Sequence, residues 1–336
     1  MKKVLLTLLI LIFAVGIVFA GGEQEESKPT EEAAEAEEEQ EKEVFTVGIN
    51  NFGQANFFAR IGRATMIEEI EKHGGKVIST VTADVPSRIS AIEDFITQGV
   101  DAIIVQEGDI SMAAPPLKEA KRKGIIVAAM GCGTDEFVDV AVDSDDEQLG
   151  RGAAKAMLEL IDYEGKIVEI INDLGVMIRV RKYAMYDVVE PEPNVNVEWS
   201  FTYAWPDFFP DVKSKMESLI QANPEPGVID AVFATFDGAG VAAAHAIKEA
   251  GLEDHIVVVG IDGDPEAYKE MSDPDSPFKA TMAQQPAQFA KKVVEQVFLL
   301  LEGKEIEDDY IPMPGKLVTQ EDVLSGEVDL EIEGME

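Results

Sequence analysis

The residues able to do chemistry in this chain of 336 residues stand at the ends of short apolar runs. One stretch, AVFATFDGAGVAAAHAI at 231–247, leaves such a run through Gly238, Gly240 and Ala243, the spacing of a dinucleotide phosphate cradle. The other run ends offer hydrogen bonds and flat apolar surface. Asn50-Asn51-Phe52 follows the first run, with Phe57-Phe58 soon after. An Asn side chain supplies two donors and an acceptor, while phenyl rings either lie against C–H faces of a ligand or pack into a core. Arg179 and Arg181 come after IVEII, Asp262-Gly263 after VVVGI, and Gln284-Gln285 after FKATMA. An exposed helix surface is the alternative for each arginine. Such a set binds a polar solute without reacting with it. Patterns for covalent or acid–base chemistry do not occur: there is no G-x-S-x-G elbow and no H-E-x-x-H. His73, His245 and His255 read as helix ends or surface, and Cys132 between two glycines has no base evident in the sequence.

The elements that must hold these residues alternate regularly. From Val44 the apolar runs VFTVGI, KVISTV, DAIIV, GIIVAAM and VDVAV are separated by segments of helical period, several of which stop at Gly. The alternation then restarts with KIVEII, VNVEWSFTYA, DAVFATF, HIVVVGI and FKATMAQ. Continuous apolar strands joined by helices predict parallel sheets covered on both faces with right-handed crossovers. A last helix over AQFAKKVVEQVFLLLEG precedes DYIPMPGKLVTQEDV, where Pro312 and Pro314 predict an extended crossing. Ligands of open α/β sheets sit past the carboxyl ends of the strands, so the residues after each run are the ones to read.

Composition narrows the partners. The formal charge is -37, and residues 23–43 hold eleven Glu against two Lys. Nucleic acid is a poor partner for such a chain, because binding it depends on basic groups that displace counterions from phosphates. The 21–43 segment has no aromatic or β-branched apolar residue and is expected to be an acidic, solvated tether. Residues 4–20 follow Lys2-Lys3 and end in small residues, which reads as a cleavable signal peptide over 1–20; an uncleaved membrane anchor is the rival. With Cys132 alone, an exported chain carries no internal disulfide.

IVVVGIDGDPEAYKEM, FKATMAQQPAQFAKKVVEQVFLLLEGK, VTQEDV and VDSDDEQLGRGAAKAM, in that relation to one another, resemble the exported sugar-binding proteins of ribose/galactose-type ABC transporters. The likeness spans about residues 44–323. It implies an α/β type I periplasmic binding protein fold: two Rossmann-like lobes with parallel sheets, joined by a three-strand hinge. The implied lobes are 44–145 plus 285–310 and 146–284 plus 311–323, with crossings near Asp145, Gln285 and Ile311 and an acidic tail over 324–336. Carried over motif by motif, the ligand residues are Asn51, Phe57, Phe58, Arg181, Asp237, Asp262 and Gln284. The chain departs from the ribose pattern where Met130-Gly131 replaces an Asp-Arg pair and Phe236 replaces an Asn. Those changes imply a less polar cleft and a ligand with fewer hydroxyls or one held more by stacking, because a buried polar group is tolerable only when paired. Trp205, ahead of Phe208 and Phe209, is the favoured aromatic contact.

The expected function is an extracytoplasmic receptor that binds a sugar, polyol or related solute and passes it to ABC transporter permease subunits. A sensory receptor for a chemoreceptor or kinase shares every one of these features. No cofactor, no metal and no catalysis are expected, and the chain is expected to be a monomer. The Gly238–Gly240 motif lies deep in the second half rather than on a first strand, although Asp254 and Asp262 loosely meet the acidic spacing. It reads as close packing of helix on strand, leaving Phe236 and Asp237 toward the cleft.

Overall fold

The computed structural model describes residues 44–53, 57–172 and 175–328. The expected signal peptide, the tether and residues 329–336 of the tail lie outside them. Following the chain, β1 (Thr46–Phe52), α1 (Phe57–Lys72), β2 (Lys76–Thr82), α2 (Val85–Gln98), β3 (Ala102–Gln106), α3 (Ala114–Arg122), β4 (Ile126–Met130) and β5 (Val140–Ser144) form the first βα series. The second runs α4 (Asp146–Leu160), β6 (Gly165–Ile171), α5 (Val176–Val189), β7 (Val195–Thr202), α6 (Phe208–Ala222), β8 (Ala231–Ala234), α7 (Asp237–Glu249), β9 (Val257–Asp262), α8 (Pro265–Met271) and β10 (Phe278–Ala283). The chain closes with α9 (Pro286–Leu301), β11 (Tyr310–Met313), β12 (Lys316–Thr319) and α10 (Gln320–Ser325).

Two six-stranded sheets result, ordered β11-β5-β4-β3-β1-β2 and β12-β10-β9-β8-β6-β7. Both follow the doubly wound order, β2-β1-β3-β4-β5 and β7-β6-β8-β9-β10, so the plan read twice from the sequence is built twice. All pairings are parallel except β12 against β10. The central strands are buried on both faces because their side chains alternate between two helical layers, while the edge strands β2, β7, β11 and β12 stay partly exposed. In the first sheet Val47, Ile49 and Ile104 pack with Met66, Phe289 and Val293 from α1 and α9, while Ile103, Val105 and Val127 pack with Phe95 and Leu117 from α2 and α3. In the second, Val168, Val232 and Val258 meet Val212, Met216 and Ala243, and Phe233 and Val259 meet Leu149, Met157 and Met185. Each such side chain contributes about 1.5–3 kcal/mol by burial, which is why continuous apolar runs hold here as strands.

Helix ends follow local chemistry. Asp84 and Ser87 form a reciprocal cap at the start of α2, and Gly99 ends it in the left-handed conformation. The reading above allows a helix surface for Arg179 and Arg181; α5 is that helix, and it carries Arg181 inward rather than exposing it. Three connections pass between the sheets: through Asp145 into α4, through Gln284-Gln285 into α9, and from β11 to β12. β11 pairs with β5 as far as Met313, and β12 begins at Lys316. The third crossing therefore falls at Pro314-Gly315, later than Ile311, because parallel pairing with β5 holds the intervening residues in the first sheet. Among the described residues no helix is long and apolar enough to cross a membrane.

Candidate functional site: a cleft at the carboxyl ends of both sheets

The strand ends converge on one cleft. Phe52 at the end of β1, Gly108 after β3, Gly131 after β4 and Ser144 at the end of β5 line it from the first sheet. Asn172 after β6, Tyr203 and Trp205 after β7, Phe236 after β8 and Asp262 at the end of β9 line it from the second, with Gln284 at a crossing. Phe58 on α1 and Met177, Ile178 and Arg181 on α5 complete the wall. Its cavity volume of about 130 Å³ has room for roughly ten water-sized groups at about 10–15 Å³ each.

The polar end of the cleft centres on Arg181, which is 1% exposed. Its Nε donates to Asp146 at the start of α4 at 2.9 Å, and its Nη1 donates to the Thr235 carbonyl and to Asp262 Oδ1, both at 2.9 Å. Nη2 is buried and has no hydrogen-bond partner. A guanidinium is a rigid fork, so fixing Nε and Nη1 also fixes where Nη2 points. Burial pulls the Arg181 pKa down, but the Asp262 and Asp146 carboxylates more than offset it and keep the group charged. Asp262 also accepts from Gln284 Nε2, and its backbone stands at φ 137°, a conformation an L-residue rarely adopts. Burial raises the Asp262 pKa, against the pull of Arg181 and the Gln284 hydrogen bond. A buried donor with no partner, beside a strained carboxylate, is a costly arrangement in a folded chain and suits a site completed by a ligand.

The aromatic end is a packed cluster. Trp205 stacks on Phe208 with ring centroids 5.7 Å apart, and both meet Phe236 edge-on at 6.1 and 4.8 Å. Tyr203 lies 5.0 Å from Phe236 on another side. Opposite, Phe58 is braced edge-on by Phe289 at 5.5 Å, and the Arg88 guanidinium lies 4.5 Å over the Phe52 ring. Gly238 opens this cluster: a Cβ there would stand 2.5 Å from the Phe236 ring and 2.7 Å from Phe208. The dinucleotide-like glycines therefore serve close packing of α7, as read above.

Of the expected residues, the cleft gathers Phe58, Arg181, Trp205, Phe236, Asp262 and Gln284. Four lie behind it instead. Asn51 donates to the Ala59 carbonyl at 3.2 Å and to Gln106 Oε1, an inward bond that leaves it fully buried. Phe57 is buried and does not line the cleft. The Met130 side chain is in the core beneath α1, its Cε close to Gly62, because strand alternation turns it away and leaves Gly131 lining the cleft. Asp237 is 0% exposed and holds the next loop: its Oδ2 accepts from the Gly263 and Asp264 N–H groups at 2.7 and 2.8 Å, and Thr281 Oγ1 donates to its Oδ1 at 2.7 Å. Burial and the neighbouring Asp262 raise its pKa. Asp237 thus sets the turn that carries Asp262. Phe52, Asn172, Met177, Ile178 and Tyr203 line the cleft without having been singled out; Asn172 and Tyr203 follow strands by one residue, the signal that could have found them. Arg179 lies outside the lining. Among the described residues no group of three or more His, Cys, Asp or Glu is placed to hold a metal.

Known proteins resemble this chain in sequence and fold. A model of the periplasmic binding protein domain matches residues 40–305. The ribose import binding protein of Bacillus subtilis (strain 168) is 28% identical over 282 residues, 83% of this chain and 88% of that protein. The galactofuranose-binding protein of Escherichia coli (strain K12) is 30% identical over 247 residues, 68% and 74% of the two. An ABC transporter solute binding protein from Agrobacterium vitis, solved with bound allitol, superposes with a TM-score of 0.79 at 25% identity, covering 84% of this chain and 98% of that one. With the doubly wound sheets, the three crossings and the cleft between them, the match over most of its length places this chain in the periplasmic binding protein domain family.

Proposed function

We propose that this chain is an extracytoplasmic receptor for one sugar or polyol of monosaccharide size, held in the cleft and handed to ABC transporter permease subunits. The observation that carries the reading is Arg181: buried, charged, fixed by three hydrogen bonds and keeping Nη2 without a partner beside Asp262 and Gln284. A ligand hydroxyl that accepts from Nη2 and donates to Asp262 completes the group, while Phe58, Trp205 and Phe236 flank its C–H surface. No step of bond making is needed. The relatives that bind ribose, galactofuranose and allitol support a hydroxylated solute.

Both lobes contribute to the wall, so a ligand favours the closed form by its differential affinity for that form. We assign 44–145 with 285–313 to one lobe and 146–284 with 316–323 to the other, hinged at the three crossings. The hydrophobic 4–20 segment behind Lys2-Lys3 acts in this reading as the export signal, and the receptor works as a monomer.

The test is a thermal-shift screen of the full chain against sugars, polyols, nucleosides and nucleotides. A solute present at 100 times its Kd adds about 2.7 kcal/mol of stability. A shift with one sugar or polyol supports the reading and names the solute. A shift with nucleotides alone overturns it.

A further inference from the structure

The two sides of the cleft differ in chemistry, and the difference restricts the ligand further than its being a sugar. Groups free to bind hydroxyls come from the second sheet and the crossing: Arg181 Nη2, Asp262 and Gln284. The first sheet has as many polar residues at its strand ends, but they turn inward, and of their buried side-chain atoms only Asn51 Oδ1, which does not line the cleft, lacks a partner. Asn50 donates to Thr80 and Thr82, Asn51 binds Gln106 and the Ala59 carbonyl, and Gln106 Nε2 donates to the Phe58 carbonyl. Arg88 donates to Asn50 Oδ1 and to the carbonyls of Gln106 and Glu107. What this network presents to the cleft is its apolar cover: the rings of Phe52 and Phe58, and Gly131 between strand end and ring. Gly131 stands at φ 66°, and a Cβ there would stand 3.0 Å from the Phe58 ring, so the backbone itself leaves no place for a polar side chain. Glu107 and Ser144 are the first sheet's remaining polar contributors. Gly108 and Ser144 also line a second cavity toward Asp143 and Tyr310, which places Ser144 at the passage between the two cavities, while Glu107 lines the cleft alone, next to the Gly108 that backs the Phe52 ring. The Ser144 hydroxyl donates to Asp146.

Resting on the receptor reading, we infer that the cleft selects a one-sided solute: a monosaccharide-sized molecule with its hydroxyls along the edge facing Arg181, Asp262 and Gln284, and a deoxygenated, O-alkyl or alkylthio edge facing Phe52, Phe58 and Gly131. A sugar hydroxylated all round buries hydroxyls against that wall on closure, and each one left without a partner lowers affinity. The apolar edge instead meets rings that lose water on contact.

The experiment is isothermal titration of the full chain with pentoses and hexoses, each beside its monodeoxy and mono-O-methyl relatives, one ring position at a time. The expected result is a split by edge. At one position, removing or methylating the hydroxyl tightens binding about tenfold or more, while at the opposite edge the same change weakens it by as much. Phe52→Gln should narrow or reverse the preference at the first position and leave the second unchanged. If the parent sugar binds tightest at every position, the inference is wrong while the receptor reading stands. If no member of the panel binds, the sugar-receptor reading falls and takes the inference with it.

Discussion

Replacing Arg181 with Lys separates the charge of this residue from its fork. Lysine keeps a cation between Asp262 and Asp146, so neither carboxylate is stranded, but one ammonium cannot reach Asp146, the Thr235 carbonyl, Asp262 and a ligand oxygen from one point. The ligand bond is the one lost, since the three protein acceptors lie on the Nε and Nη1 side of the group. A hydrogen bond to a charged group is worth about 1.5–3 kcal/mol, so the solute found by screening should bind roughly 10- to 150-fold more weakly at 1.4 kcal/mol per decade. The fold should lose less. One or two buried acceptors go unmet at about 1 kcal/mol each, a fall in Tm of roughly 2–4 °C per kcal/mol. Isothermal titration gives the first quantity and differential scanning calorimetry of the ligand-free chain the second. A Kd within threefold of the parent would refute the argument, because Nη2 would then have no part in binding. A collapse of the ligand-free fold would equally contradict it, since the charge that pairs Asp262 and Asp146 has been kept.

Trp205→Ala should weaken solute binding by about tenfold while moving the ligand-free Tm little, because Trp205 packs on the rim of the aromatic cluster and such pairs are worth about 0.5–1.5 kcal/mol; tryptophan fluorescence in a Trp199→Phe background reports the ring directly. Met130→Leu, a volume-conserving change in the core, should leave Kd unchanged and cost under about 1.5 kcal/mol. Gly131→Ala should weaken binding through strain at φ 66° and pressure on Phe58, and equal titration curves for these two variants would count against the assignment of the wall. Acidity should stabilise the chain. Burial lifts the Asp143 pKa to about 6, against hydrogen bonds from the backbone of Gly133 and Cys132, so the folded state holds a proton that the unfolded state has released. Stability is then highest near the ordinary carboxylate pKa and declines as pH rises through about 6, by on the order of 3 kcal/mol from Asp143. Asp237, also raised, acts in the same direction. Urea unfolding at pH 5 and pH 8 should favour pH 5, with Asp143→Asn narrowing the gap; greater stability at pH 8 contradicts the assignment.

Much of this molecule is legible without coordinates, for local reasons. Apolar runs such as DAIIV and IVVVGI are buried on both sheet faces, so their pattern survives in the sequence as strands of parallel sheets. Repetition of the plan foretells two doubly wound sheets, and the rule that ligands sit at strand carboxyl ends points to Asp262, Arg181 and Gln284. Helix α5 was harder to see because VMIRVRKYAMYDVV mixes apolar and basic residues and is only partly buried.

Asn51, Met130 and Asp237 mark the limit. Each stands at a strand end, as the reading requires, and each turns inward. The sequence by itself determined the fold class, the two βα series and the residues near the cleft, because these follow from the pattern of burial along one chain. Only the tertiary structure decided which of those residues face the cleft. Successive residues at a strand end point to opposite faces, and whether Met130 or Gly131 meets the cleft depends on the register of β4 and the packing of α1 against it. Likewise, Asn51 is consumed by Gln106, a residue 55 positions away, and no local pattern records a hydrogen bond made across two strands.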